Sequence, residues 1–239
     1  EHLKSAGLST LPGTAAEILD DEVRKSLCPD KINTSQWLEV MKTAHQVGFK
    51  TTATIMYGHV ETPIHWANHL TEVRNLQLQT GGFTEFVPLP YVPMEAPMYL
   101  KGKSRRGPSF REAILMHSVS RIAFKGLINN IQTSWVKMGQ EGVQACLNAG
   151  ANDIGGTLMN ESITRAAGAD HGQEWHPQGI EETIISMGRK PKMRTTSYDE
   201  APQSRRELAF RASTLTQIEN TAAAKLQRSK KLDNIAQVL

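Results

Sequence analysis

The chain has 239 residues, 39% of them hydrophobic, which is enough for one sizeable core. No apolar run reaches the ~20 residues that cross a bilayer, so no membrane role is expected. The net charge of +3 is unevenly placed: from Met187 onward there are 11 Lys and Arg against 5 Asp and Glu, and the rest of the chain is net negative. A nucleic-acid role is therefore not expected; the basic stretch, with little aromatic interleaving, reads as a solvated, partly helical extension. Cys28 and Cys146 are too few and too far apart for a metal-cysteine motif or a disulfide framework, and a reducing compartment, the cytoplasm, is expected.

In chain order, a helix end stops at Gly7, Leu8 to Leu11 reads as a short strand, and Pro12-Gly13 as a turn. Thr14 and Glu17 form a capping-box pattern that predicts a helix over 15–27, halted before Pro29. Trp37, Met41 and Ala44 recur at helical spacing within 34–48, with Gly48 as the stop. The T-T-A-T-I-M-Y run over 51–57, ended by Gly58, has the character of a buried parallel strand. Thr62 and Pro63 then open a helix bearing Trp66, Leu70, Val73 and Leu76 on one face. A strand over 83–89 leads into a long proline-rich connection, of a length that inside compact domains is usually functional.

Ser109 and Glu112 cap a helix running to about Phe124. A strand over 131–136, a short helix from Gln140, a strand over 151–154 and a helix over 177–187 complete the pattern. Alternation of this kind implies right-handed βα units on a parallel sheet. Four strands, or five with Leu8 to Leu11, fall short of the eight that close a (βα)8 barrel. The expectation is an α/β chain forming the C-terminal part of such a barrel over 1–198, with a basic tail over 199–239 and the missing half upstream of Glu1.

Ligands of parallel α/β sheets sit beyond the carboxyl ends of the strands. The polar residues there are Tyr57, Gly58, His59 and Glu61; Glu85 and the 88–99 loop; Gln132, Ser134 and Lys137; and Asn152, Asp153, Gly155-Gly156, Asn160 and Glu161. Gln132 and Ser134 share one strand face by the period of two, so both are expected to look into the barrel. His59 with Glu61 could ligate a metal, although hydrogen bonding is the better reading. His65 and His69 stand four apart on a helix with no third ligand near, so a solvent-facing surface is expected for them. Lys137 could act as a Schiff-base lysine or, more simply, as a salt-bridge or substrate contact. His171 and Glu174 are candidates for a lid or an ordinary polar loop.

Seven segments, S-T-L-P-G-T-A-A-E-I-L, C-P-D-K-I, T-T-A-T-I-M-Y-G-H-V-E, T-G-G-F-T-E-F-V-P-L-P, E-A-P-M-Y-L-K-G, I-Q-T-S-W-V-K-M-G and A-G-A-N-D-I-G-G-T-L-M-N-E-S, together resemble the tyrosine-using component of FO synthase, a radical S-adenosylmethionine family. The resemblance covers roughly Leu3 to Tyr198. It implies a barrel in which a 4Fe-4S cluster reduces S-adenosylmethionine, and the resulting radical cleaves L-tyrosine. The 4-hydroxybenzyl fragment then passes to 5-amino-6-(D-ribitylamino)uracil, a deazaflavin precursor, with a ring-closing component, fused or separate, as partner.

By the same resemblance, Pro12, Gly13, Glu17, Met56, Tyr57, Gly58 and Glu61 are cofactor-binding. His59, Glu85, Gln132, Ser134, Lys137, Asn152, Asp153, Asn160 and Glu161 face the substrates. The family's three-cysteine cluster motif does not occur in this sequence and is expected upstream. Three other readings stand beside this one: a related menaquinone-pathway radical enzyme, a barrel using His59, Glu61 and Asp153 around a divalent metal, and a non-catalytic half-barrel.

Overall fold

The structure is a computed structural model that describes residues 1–158 and 160–215. Its elements alternate as expected. After α1 (His2–Ser5) come β1 (Thr10–Leu11), α2 (Asp21–Leu27), α3 (Thr34–Val47), β2 (Lys50–Tyr57), α4 (Pro63–Thr80) and β3 (Phe83–Pro90). They are followed by α5 (Pro97–Leu100), α6 (Phe110–Ala123), β4 (Asn130–Ile131), α7 (Trp135–Asn148), α8 (Ile163–Ala166), α9 (Pro177–Ser186) and α10 (Gln203–Arg211). The four strands form one sheet in the order β1-β2-β3-β4, every pairing parallel. The expected α/β class and parallel pairing are thus present.

Burial along β2 alternates, and this assigns its faces. Thr51, Ala53, Ile55 and Tyr57 are buried, and the last three pack with Trp37 and Met41 of α3 and Leu70 and Val73 of α4. Thr52, Thr54 and Met56 are half-buried on the opposite, inner face. A second core joins Trp135, Val143 and Cys146 of α7 to Ile180 and Ile184 of α9. No helix among the described residues is long and apolar enough to cross a membrane.

Several local expectations are corrected. The helix expected over 15–27 starts at Asp21, capped by the Asp20 side chain, and Ala15 and Glu17 take left-handed φ values of 63° and 42°. Burial of Ala16, Ile18 and Leu19 against the core outweighs the capping-box signal. The carbonyls left unpaired are taken up by the buried Arg24 guanidinium, which donates to Ala16 at 2.5 Å, Ile18 at 3.2 Å, Ala15 at 3.2 Å and Ile32 at 3.1 Å.

The strand expected over 131–136 stops after Ile131, apart from one parallel bridge between Gln132 and Asp153, because Ser134 already serves as N-cap of α7. Ser134 therefore does not share a strand face with Gln132. The helix expected from Gln140 begins at Trp135 and is broken at Gly139. The segment over 151–154 contributes that single bridge instead of a ladder. His69 is fully buried, and its Nδ1 accepts the Leu19 N–H at 3.0 Å, so the expected solvent-facing histidine pair is not formed. Of the expected tail, 199–215 carries α10, which packs on α9 through the Arg206 and Glu181 ion pair; 216–239 lies outside the described residues.

Candidate functional site

The site has two layers on the inner face of the sheet. The lower layer follows from strand register: Glu85 lies opposite Thr52 and Asn130, and Gln132 is bridged to Asp153. Glu85, Gln132 and Asp153 therefore converge from neighbouring segments; Glu85 lies near the start of β3, not at its carboxyl end as expected, and Gln132 directly follows β4. Gln132 donates to Glu85 Oε2 at 2.9 Å. Tyr198 donates its hydroxyl to the same oxygen at 2.6 Å, and Arg194 bridges Glu85 and Asp153 while stacking on the Tyr198 ring at 4.0 Å. Burial raises the Glu85 pKa, opposed by the Tyr198 hydroxyl and Arg194. Burial also raises the Tyr198 pKa, so its proton stays on the donor side of this bond.

Arg194 and Tyr198 were not among the residues singled out from sequence. The signal for them was indirect: two acids on an inward face need a cation, and the basic stretch after Met187 holds the available ones. A cavity of about 820 Å³ adjoins this layer, bounded by 152–157, α9 and the 189–196 segment.

The upper layer stands at the strand ends. Gly58, with φ 98°, leaves β2 where an added Cβ would lie 2.1 Å from Pro108 Cδ, so the long proline-rich connection closes directly over it. Glu61 is buried and fixes this turn. Its carboxylate accepts the backbone N–H groups of Gly58 at 2.5 Å and His59 at 2.8 Å, the Trp66 indole N–H at 2.9 Å and Arg105 at 3.2 Å. Burial opposes ionisation, but His59 and these donors outweigh it and hold the Glu61 pKa below its ordinary value.

His59 donates from Nε2 to the Met56 carbonyl at 2.9 Å and accepts the Val60 N–H on Nδ1 at 2.8 Å. Burial lowers its pKa, opposed by Glu61, whose Oε2 lies 3.0 Å from Nδ1. Tyr57 is fully buried on the helix side, edge-on to Trp66.

On the opposite rim, Lys137 sits in the first turn of α7, and Asn160 and Glu161 sit in the loop after Gly155-Gly156. Asn152 is turned elsewhere: its Oδ1 accepts Arg121 at 2.7 Å and the Ile131 N–H at 2.9 Å. At the first strand, Pro12 is exposed, Gly13 donates to Thr52 Oγ1 at 2.7 Å, and Glu17 accepts Lys31 at 2.6 Å. Met56 alone of its strand-end segment presents a half-buried side chain to the inner face.

Among the described residues no group of three or more His, Cys, Asp or Glu could hold a metal ion. Cys28 and Cys146 are both buried, and burial raises their pKa values, that of Cys146 to about 11. Protonated, separated thiols do not fit an iron–sulfur cluster, whose ligands are thiolates.

A parallel βα sheet with polar side chains gathered at its strand ends belongs to the α/β class that binds small ligands on that face. Residues 80–208 match the family described as the CofH/MqnC C-terminal region, and the chain belongs to that family. It is 53% identical over 196 residues to the 5-amino-6-(D-ribitylamino)uracil--L-tyrosine 4-hydroxyphenyl transferase of Methanocaldococcus jannaschii, covering 82% of this chain and 55% of that protein. The enzyme of the same name from Methanococcus maripaludis is 49% identical over 197 residues, with 82% and 55% covered. The FO synthase of Mycobacterium leprae is 52% identical over 196 residues, with 82% and 23% covered. The chain thus spans about half the length of the transferases it matches.

Proposed function

We propose that this chain supplies one side of the substrate site of a transferase that moves the 4-hydroxybenzyl fragment of L-tyrosine onto 5-amino-6-(D-ribitylamino)uracil in deazaflavin FO biosynthesis. The observation that carries the reading is the identity of about half of the 196 or 197 aligned positions, 82% of the chain, to enzymes named as L-tyrosine 4-hydroxyphenyl transferases. The hydrogen-bonding upper rim, with Lys137 and the free Oε2 of Glu161, suits polar organic substrates. S-adenosylmethionine with a 4Fe-4S cluster is the proposed source of the radical. The described residues do not fit the cluster, so the contribution proposed for them is to the substrates and, through the segment around Met56 and Gly58, to S-adenosylmethionine. A ring-closing component, fused or separate, is the proposed partner.

The test is anaerobic turnover by the full-length protein carrying this segment, reconstituted with iron and sulfide and given S-adenosylmethionine. A coupled product that requires both tyrosine and the ribityl uracil supports the reading. The family description also spans a second enzyme type. Turnover without tyrosine, on another substrate, would replace the reading.

A further inference from the structure

We infer that Lys137 and Glu161 recognise the charged end of an amino-acid substrate, the lysine taking its α-carboxylate and the glutamate its α-ammonium group. The inference rests on the transferase reading above and names the part of the site that distinguishes the amino acid from the uracil.

Lys137 stands at the strand-end rim, and no hydrogen bond or ion pair reaches its ammonium group among the described residues. Burial lowers its pKa, with Glu161 acting in opposition through space. Glu161 has the complementary deficit. Its Oε1 accepts the Thr164 N–H at 2.9 Å, whereas Oε2 is buried without a hydrogen-bond partner among the described residues. A half-buried cation without a partner stands near a fully buried carboxylate oxygen without one, and the buried oxygen is costly to leave so. Direct contact would relieve both, yet the two groups do not pair. A zwitterion placed between them satisfies both at once, whereas a ribityl chain or a neutral uracil offers no fixed charge to either.

The backbone holds this arrangement against its own preferences. Gly139, with φ 65° and ψ 176°, breaks α7 directly after the turn that carries Lys137. A Cβ there would lie 2.8 Å from His171 Nδ1, so that turn is pressed against the loop bearing Glu161. The Trp135 indole N–H donates to the Gly156 carbonyl at 2.9 Å, and the Glu161 N–H to the Gln173 carbonyl at 2.9 Å. Leu158 and Asn160, both just before Glu161, take left-handed conformations, φ 50° and 57°. Strain of this kind in residues other than glycine persists where the surroundings over-determine it, and it clusters at ligand sites.

The experiment is titration calorimetry of the full-length holoenzyme with L-tyrosine, with tyramine, which lacks the carboxylate, and with 3-(4-hydroxyphenyl)propionate, which lacks the amine. Wild type is expected to bind tyrosine about 10-fold or more tightly than either analogue, the scale of one charge-assisted contact. Lys137→Met is expected to erase the preference over tyramine while leaving tyramine binding unchanged. Glu161→Gln is expected to erase the preference over the propionate in the same way. Variants that keep the wild-type preferences, or that weaken all three ligands equally, overturn the inference and leave the transferase reading intact. Failure of wild type to bind any of the three phenols overturns both.

Discussion

Tyr198 and Glu85, 113 residues apart in the chain, meet in a 2.6 Å hydrogen bond on the inner face of the sheet. With Arg194 joining Glu85 to Asp153, this contact folds the segment after α9 back across three strand segments. Two carboxylates that sequence would assign to substrate are thereby engaged by the protein itself.

Tyr198→Phe removes one donor from a buried carboxylate and is expected to cost about 1–3 kcal/mol. Denaturant unfolding of the full-length protein checks the value. Glu85→Gln combined with Tyr198→Phe is expected to cost less than the two single changes added together, because the pair acts as a unit.

The pH dependence of stability has opposite signs at the two buried glutamates. The Glu85 pKa is raised by burial, so its contribution is fully present below the ordinary carboxylate value of 4.5 and is lost as pH rises through the folded value. Glu61 is lowered, so its contribution is present above 4.5 and is lost as pH falls through the folded value. Thermal melts across this range are expected to show Glu85→Gln flattening the loss on the rising side and Glu61→Gln flattening the loss on the acid side.

Glu61→Ala strips four donors of their acceptor and is expected to destabilise by about 3 kcal/mol. Hydrogen exchange should report faster exchange at the Gly58 and His59 amides, which lose their partner directly. Arg105→Ala, at a partly exposed partner, is expected to cost below about 1 kcal/mol.

Arg24→Lys is expected to destabilise nearly as much as Arg24→Met, because one ammonium cannot reach the carbonyls of Ala15, Ala16, Ile18 and Ile32 together. Equal stability of wild type and the lysine variant in urea would remove the guanidinium from the account of this loop.

How much of this was legible depended on the range of the interaction. Trp37 and Met41 in α3, and Leu70 and Val73 in α4, announced their helices by local periodicity, and β2 by its β-branched run into Gly58. The 15–19 loop was not legible, since its competitor to a capping box is a guanidinium several residues away that reaches four carbonyls in three dimensions. Strands were expected over 131–136 and 151–154, and the two segments meet in a single bridge, Gln132 to Asp153. Their engagement by Arg194 and Tyr198 was hidden because a charged stretch with no periodicity reads the same whether it is solvated or folded inward. The Gly139 break was equally silent, because a glycine inside a helical pattern does not reveal what it is pressed against.

The central claim is that this segment serves tyrosine-derived transfer to a ribityl uracil. The most direct measurement is turnover of the full-length holoenzyme with ring-labelled 13C L-tyrosine, followed by mass spectrometry of the uracil product. The account predicts a product carrying all of the ring label, and its formation should slow in Lys137→Met. A uracil product without label, or none despite tyrosine binding, would contradict it.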